Sequence, residues 1–207
     1  FRTHSGRKTI GRAETDDFRH WPKPETIVVP DVEDGPSRSL YTNGYSPYPG
    51  TDIQIMFPAI FDQISDRVDV SVAVSRDGIN WVRSRTPVLC DCEEGSPYIG
   101  TRLLELDDGR LAVPYWARQA RHNEAYIAGG TFGRHSLIGL ALWHKDRIGG
   151  LRADEYGCFT LNSSLADGGT LRINYSTEPG GWIRAALYED LPYPPQKTQP
   201  IEGFDFD

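Results

Sequence analysis

The stretches GRAETDDFRHW and VAVSRDGINW share one S/T-x-D-x-x-x-W frame, which sets Thr15, Asp17 and Trp21 against Ser75, Asp77 and Trp81 at an offset of 60 residues. Ile10 against Val70 and Ala13 against Ala73 follow the same offset. A unit used at least twice at a period of tens of residues points to an architecture of stacked like parts. The box itself reads as a turn. A Ser or Thr hydroxyl and an Asp carboxylate two residues apart accept hydrogen bonds from turn amides, and Gly78 allows a positive φ. The Trp is expected to pack between strands of its own unit, so these residues are read as structural and distant from a central pocket.

The segments around the boxes read as strands. Asp52 to Phe61 is an apolar run. After a turn, Val70, Val72 and Val74 alternate with Ser71 and Ala73, and WVRSRTPVL leaves the box. A second unit runs from GSPYIGTRLLEL through a hairpin signal at Asp107-Asp108-Gly109 to RLAVPYWARQ and SLIGLALWHKD. There the box is lost: Trp143 and Lys145 stand where Ser75 and Asp77 should fall, with Asp146 one residue late. Ser-Pro-Tyr recurs in YSPYPG and GSPYIG, 50 residues apart, which sets Tyr48 equivalent to Tyr98. Units of this length holding about four antiparallel strands are what a β-propeller blade requires. The expected fold is all-β: partial propeller blades over residues 1–146, then a partial β-sandwich-like segment over 147–207. Leu171, Ile173 and Tyr175 would share one sandwich face, and Ile183, Ala185 and Leu187 another.

Composition narrows the partners. A net charge of -7 argues against nucleic acid and anionic membranes, and no apolar run approaches the roughly 18 residues of a membrane span. A neutral partner fits better. The three cysteines, Cys90, Cys92 and Cys158, give neither zinc spacing nor an even disulfide set, so no metal and no cofactor is expected. With Phe1 first and no visible signal peptide, the chain reads as part of a longer one. The compartment is open, with a secreted or periplasmic one the expectation.

The boxes TDDFRHW and SRDGINW, the unit starts, and the tail DRIGGLRADEYGCFTLNSSLADGGTLRIN, GGWIRAALYED, PIEGFDFD together resemble the five-bladed propeller glycoside hydrolases of the invertase, levansucrase and arabinanase kind, in members where a β-sandwich follows. The resemblance spans nearly the whole chain. It implies a carbohydrate as partner, along with the remaining blades of a longer chain. Such enzymes pass through an oxocarbenium-like transition state flanked by two carboxyl groups. The family's early catalytic motifs are absent here, so this chain would supply the rim and wall of the pocket.

Ligands bind in the mouths of closed β structures, which directs attention to TNGYSPY, CEEGSPY and RQARHNEAY. Glu94, beside Glu93, precedes an inner strand, and Glu124 sits in the long loop; these two are the candidate catalytic carboxyl groups. His122 and Asn123 in the same loop are candidate sugar-binding groups, and a near-neutral His can bind a hydroxyl or tune an acid. Tyr48 and Tyr98 are candidate stacking walls. Two other classes stay open: a sialidase-like enzyme built on Arg102, Arg118 and Arg121, and a carbohydrate-binding propeller without catalysis.

Overall fold

The computed structural model describes residues 6–90, 95–118, 120–124, 136–160, 172–187 and 199–200. The fold is all-β: among the described residues the regular elements are β-strands. The chain divides into two compact units, Phe1–Gly157 and Cys158–Asp207.

Among the described residues, unit one holds three antiparallel sheets. The first is a pair, β1 (Ile10–Arg12) with β2 (Glu25–Val28), joined through the first box. The second is a meander. β3 (Arg38–Pro47) pairs β4 (Gln54–Asp62), β4 pairs β5 (Arg67–Val70) and then β6 (Ala73–Ser75), and β6 pairs β7 (Val82–Arg83) across the second box. The third follows the same course. β8 (Ser96–Tyr98) and β9 (Leu104–Glu105) both pair β10 (Arg110–Arg118), which pairs β11 (Ser136–His144) over all nine residues. The Asp107-Asp108-Gly109 turn closes the β9–β10 hairpin, with Gly109 at φ 79° and its N–H donating to Leu106 O at 2.9 Å.

β4 reads as a nearly continuous apolar run because both its faces are covered. Ile55, Phe57, Ala59 and Phe61 meet Val68, Val70, Ile99, Leu111 and Val113 in the core between the second and third sheets. Trp143 stacks on Phe57 there, at 6.1 Å and 18°. Pro58 supplies no N–H to the ladder, and the β3–β4 register shifts between Leu40 and Asn43, opposite it.

Three expectations change. The expected alternation Val70, Val72, Val74 fails after Val72: Ala73 and Ser75 are buried and Val74 is exposed. The cause is a break at Ser71–Val72, where Ser71 N–H donates to Pro58 O at 2.9 Å and Ser71 Oγ to Ser84 O at 2.5 Å, so the strand restarts on the opposite face. Ser-Pro-Tyr does not mark equivalent sites. Pro47 ends β3 opposite Gln54, at the start of β4, whereas Ser96 opens β8 opposite Arg118, at the end of β10. Trp21 is not packed between strands. Its sheet has two strands, and the indole lies 55% exposed against Phe18, with ring centroids at 5.8 Å.

In unit two, β12 (Ala186–Leu187) pairs β13 (Gln199–Pro200). The strands expected through Ile173 and Tyr175 and through Ile183 and Ala185 carry no ladder among the described residues. Leu171 and the tail IEGFDFD lie outside the described residues.

Candidate functional site

The two boxes share the hydrogen bonds that cradle their Asp carboxylate, while the Gly78 N–H bond to Ser75 Oγ at 2.9 Å is seen in the second box and the Trp21 Nε1 bond to Phe18 O at 3.3 Å in the first. In the second, Asp77 N–H donates to Ser75 Oγ at 3.2 Å, while Ile79 and Asn80 amides donate to Asp77 Oδ1 at 2.8 and 2.7 Å. In the first, Asp17 N–H donates to Thr15 Oγ1 at 3.3 Å, and the Arg19 and His20 amides donate to Asp17 Oδ1 at 2.8 and 2.9 Å. Backbone donors, from Asn80 and His20 above all, hold both carboxyls far below the usual carboxylate range. The positive-φ place is Gly78 in one and Phe18 in the other. Trp81 packs edge-on to Tyr45 at 6.4 Å.

The second box lies at the end of the sheet where Ser75 pairs Gln54, the start of β4. Nine residues of β4 separate it from the opposite end, a span of about 27 Å. At that opposite end the candidate residues gather. His122 lies against Tyr41 and Phe61, each ring at 4.5 Å, and its Nδ1 is 2.7 Å from the Tyr98 hydroxyl. Tyr98 stacks on Trp116 at 5.2 Å and 30°, and Trp116 is 41% exposed. Lys8 Nζ stands 3.6 Å over the Tyr41 ring.

Burial fixes the protonation of this cluster. It pushes the Tyr98 hydroxyl up to about 12 and lowers His122 below the ordinary histidine value, the nearby Lys8 and Arg118 adding to the latter against Asp66. Tyr98 therefore keeps its proton, and its hydroxyl shares a hydrogen bond with Nδ1 of a neutral His122. The result is an aromatic-walled patch with a hydroxyl and an imidazole at its edge and the Lys8 ammonium over Tyr41, groups able to stack on and hydrogen-bond a polyhydroxyl ligand.

The segment carrying His122 is braced by its neighbours. Arg118, 6% exposed, donates through Nη2 to the carbonyls of Arg121 and His122, each at 2.8 Å. Asn123 donates to Asp66 through N–H at 2.9 Å and through Nδ2 at 2.6 Å. Glu124 accepts from Arg121 N–H at 3.0 Å. Of the expected site residues, His122, Asn123, Glu124 and Tyr98 are thus brought together, and Tyr48 is not. Tyr48 sits at the far end, donating to Asp146 Oδ1 and accepting from Asp146 N–H, both at 2.8 Å. Burial, with Asp146 next, pushes its hydroxyl up to about 12. Glu93, Glu94 and Cys92 lie outside the described residues.

Sequence reasoning missed Tyr41, Phe61, Trp116, Asp66 and Lys8. Tyr41 adjoins TNGYSPY and Trp116 lies two residues before RQARHNEAY, but nothing local tells which aromatic faces which loop.

A separate cleft of about 480 Å³ opens on the other face of the second sheet, lined by Asp34, Arg38, Asp62, Arg67, Arg83 and Arg85. Its charges largely satisfy one another. Asp34 and Arg83 form a buried pair at 2.5 Å, and Arg85 reaches Asp31, Glu33 and Asp34. Burial pushes the Asp34 carboxyl up, and Arg83 with the other donors outweighs it, leaving Asp34 below the usual range.

Among known proteins, no family model and no curated protein matches the sequence. Among solved structures, the chain is similar to an N-acetylgalactosamine deacetylase from F. plautii, solved in complex with blood group B trisaccharide, at a TM-score of 0.45 and 14% identity over 65% of this chain. The similarity spans 40% of that structure's length.

Proposed function

We propose that this chain contributes blades to a five-bladed propeller of the glycoside hydrolase kind and binds carbohydrate at the end of its sheets where His122, Tyr98, Tyr41 and Trp116 meet. The observation that carries the reading is the neutral Tyr98–His122 hydrogen bond beside the exposed face of Trp116. An apolar ring face stacks on a sugar's C–H face, while hydroxyl and imidazole bond its oxygens. Hydrolysis in this reading takes two carboxyl groups flanking the scissile bond. Glu94 and Glu124 are this chain's candidates for that pair, with groups from earlier blades supplying the remainder of the pocket.

A carbohydrate-binding protein without catalysis is the second reading, favoured by one observation: a Glu124 oxygen already accepts from Arg121 N–H. A sialidase-like arginine triad is disfavoured, because Arg118 is buried and its Nη2 serves loop carbonyls. Calorimetric titration with neutral fructan and arabinan oligosaccharides tests the proposal. Trp116→Ala and His122→Ala are expected to weaken binding about tenfold each, roughly 1.4 kcal/mol. Glu124→Gln separates the two readings. It should leave the Kd within about twofold, and a fall in kcat of about 100-fold or more in the complete enzyme assigns it to catalysis. Failure of the wild-type chain to bind any of these sugars refutes the proposal.

A further inference from the structure

We infer that Asp66 is the positioning residue that seats His122 among its aromatic partners, an inference that rests on the carbohydrate-binding reading of that cluster. His122 follows β10 in the third sheet, but Tyr41 and Phe61, which flank its ring, stand on β3 and β4 of the second. Something must tie the segment to the second sheet. Asp66, in the turn between β4 and β5, supplies three acceptors: its carbonyl takes His122 N–H at 3.0 Å, Oδ2 takes Asn123 N–H at 2.9 Å, and Oδ1 takes Asn123 Nδ2 at 2.6 Å. The bonds from Arg118 and Glu124 join the segment only to its own sheet or to itself. Asp66 has φ 58°, a left-handed conformation that Asp adopts more readily than most residues, and with it the turn offers both carbonyl and carboxylate to the neighbouring segment. With the backbone of residue 122 held from both sides, the Tyr98 hydroxyl sets the ring.

The test is an NMR titration of the His122 ring in the 207-residue chain without sugar. The charged and titratable groups around it are Asp66 of the β4–β5 turn, Lys8 ahead of β1, Arg118 of β10, Tyr41 of β3 and Tyr98 of β8. Asp66→Ala separates two effects of opposite sign. Removing a carboxylate lowers the His122 midpoint further, whereas releasing the ring into water raises it toward the ordinary value of about 6.5. Positioning predicts the rise, with loss of the ring-current shift from Tyr41 and Phe61. An unchanged or lower midpoint overturns it. Should Asp66→Ala not fold, Asn123→Ala decides instead, since it keeps the carboxylate and removes the 2.6 Å bond: a rise supports the inference and no rise overturns it. Because the titration uses no sugar, absence of sugar binding by the wild-type chain refutes the carbohydrate reading and leaves the positioning result standing.

Discussion

At the scale of single residues the two boxes carry the clearest physics. Asp17 and Asp77 each gather backbone donors that only the folded turn presents, so both bind protons more weakly folded than unfolded. The unfolded chain takes up those protons first as pH falls. Their stabilisation is therefore complete above the ordinary aspartate value of 3.8 and is lost progressively as pH drops from there toward the lowered values. Asp77→Ala is expected to lower the urea midpoint at pH 7 and to flatten its pH dependence between about pH 4 and pH 2; equal slopes for variant and wild type would count against this account. The pair also shows that the frame tolerates different residues. Phe18 occupies the positive-φ place that Gly78 fills in the other copy, at a cost in backbone strain of about 1–2 kcal/mol.

At the scale of elements, the third sheet depends on a glycine. A Cβ at Gly139 would run into the ring of Tyr115, its direct partner on β10. Gly139→Ala should therefore cost about 1–3 kcal/mol by overpacking, read as a lower denaturant midpoint, and Tyr115→Ala should relieve part of it in the double variant. What the sequence makes legible divides along the same lines. Local chemistry is readable: the boxes and the Asp108-Gly109 hairpin depend on neighbours within a few residues, and both form as turns. Register is not. The inversion at Ser71–Val72 depends on bonds to Pro58 and Ser84, and the misplaced Ser-Pro-Tyr equivalence depends on which ends of β4 and β10 face each copy. The candidate site divides likewise. His122 was visible from its loop, whereas Tyr41, Phe61 and Asp66 reach it from another sheet and leave no local mark.

At the scale of the molecule, one sheet face carries a row of exposed apolar side chains. Trp116, Ile138, Leu140 and Leu142 lie exposed on β10 and β11, with Ile138 84% exposed and directly opposite Trp116. Among the described residues β11 pairs with β10 alone. An apolar face beside an unpaired strand edge favours association. The isolated chain is expected to sediment as oligomers at micromolar concentration, and Ile138→Lys with Leu140→Lys should shift it toward monomer. A monomeric wild-type chain with a single cooperative melt would contradict both this and the partial-propeller reading.

The Tyr48–Asp146 bonds have a counterpart in Asp66–Asn123: one joins the second and third sheets near the start of β4, the other near its end. With the shared core between them, the two sheets are joined three times without recourse to the peptide chain linking β7 to β8. A protein cut once between β7 and β8 is therefore expected to elute as one particle on gel filtration.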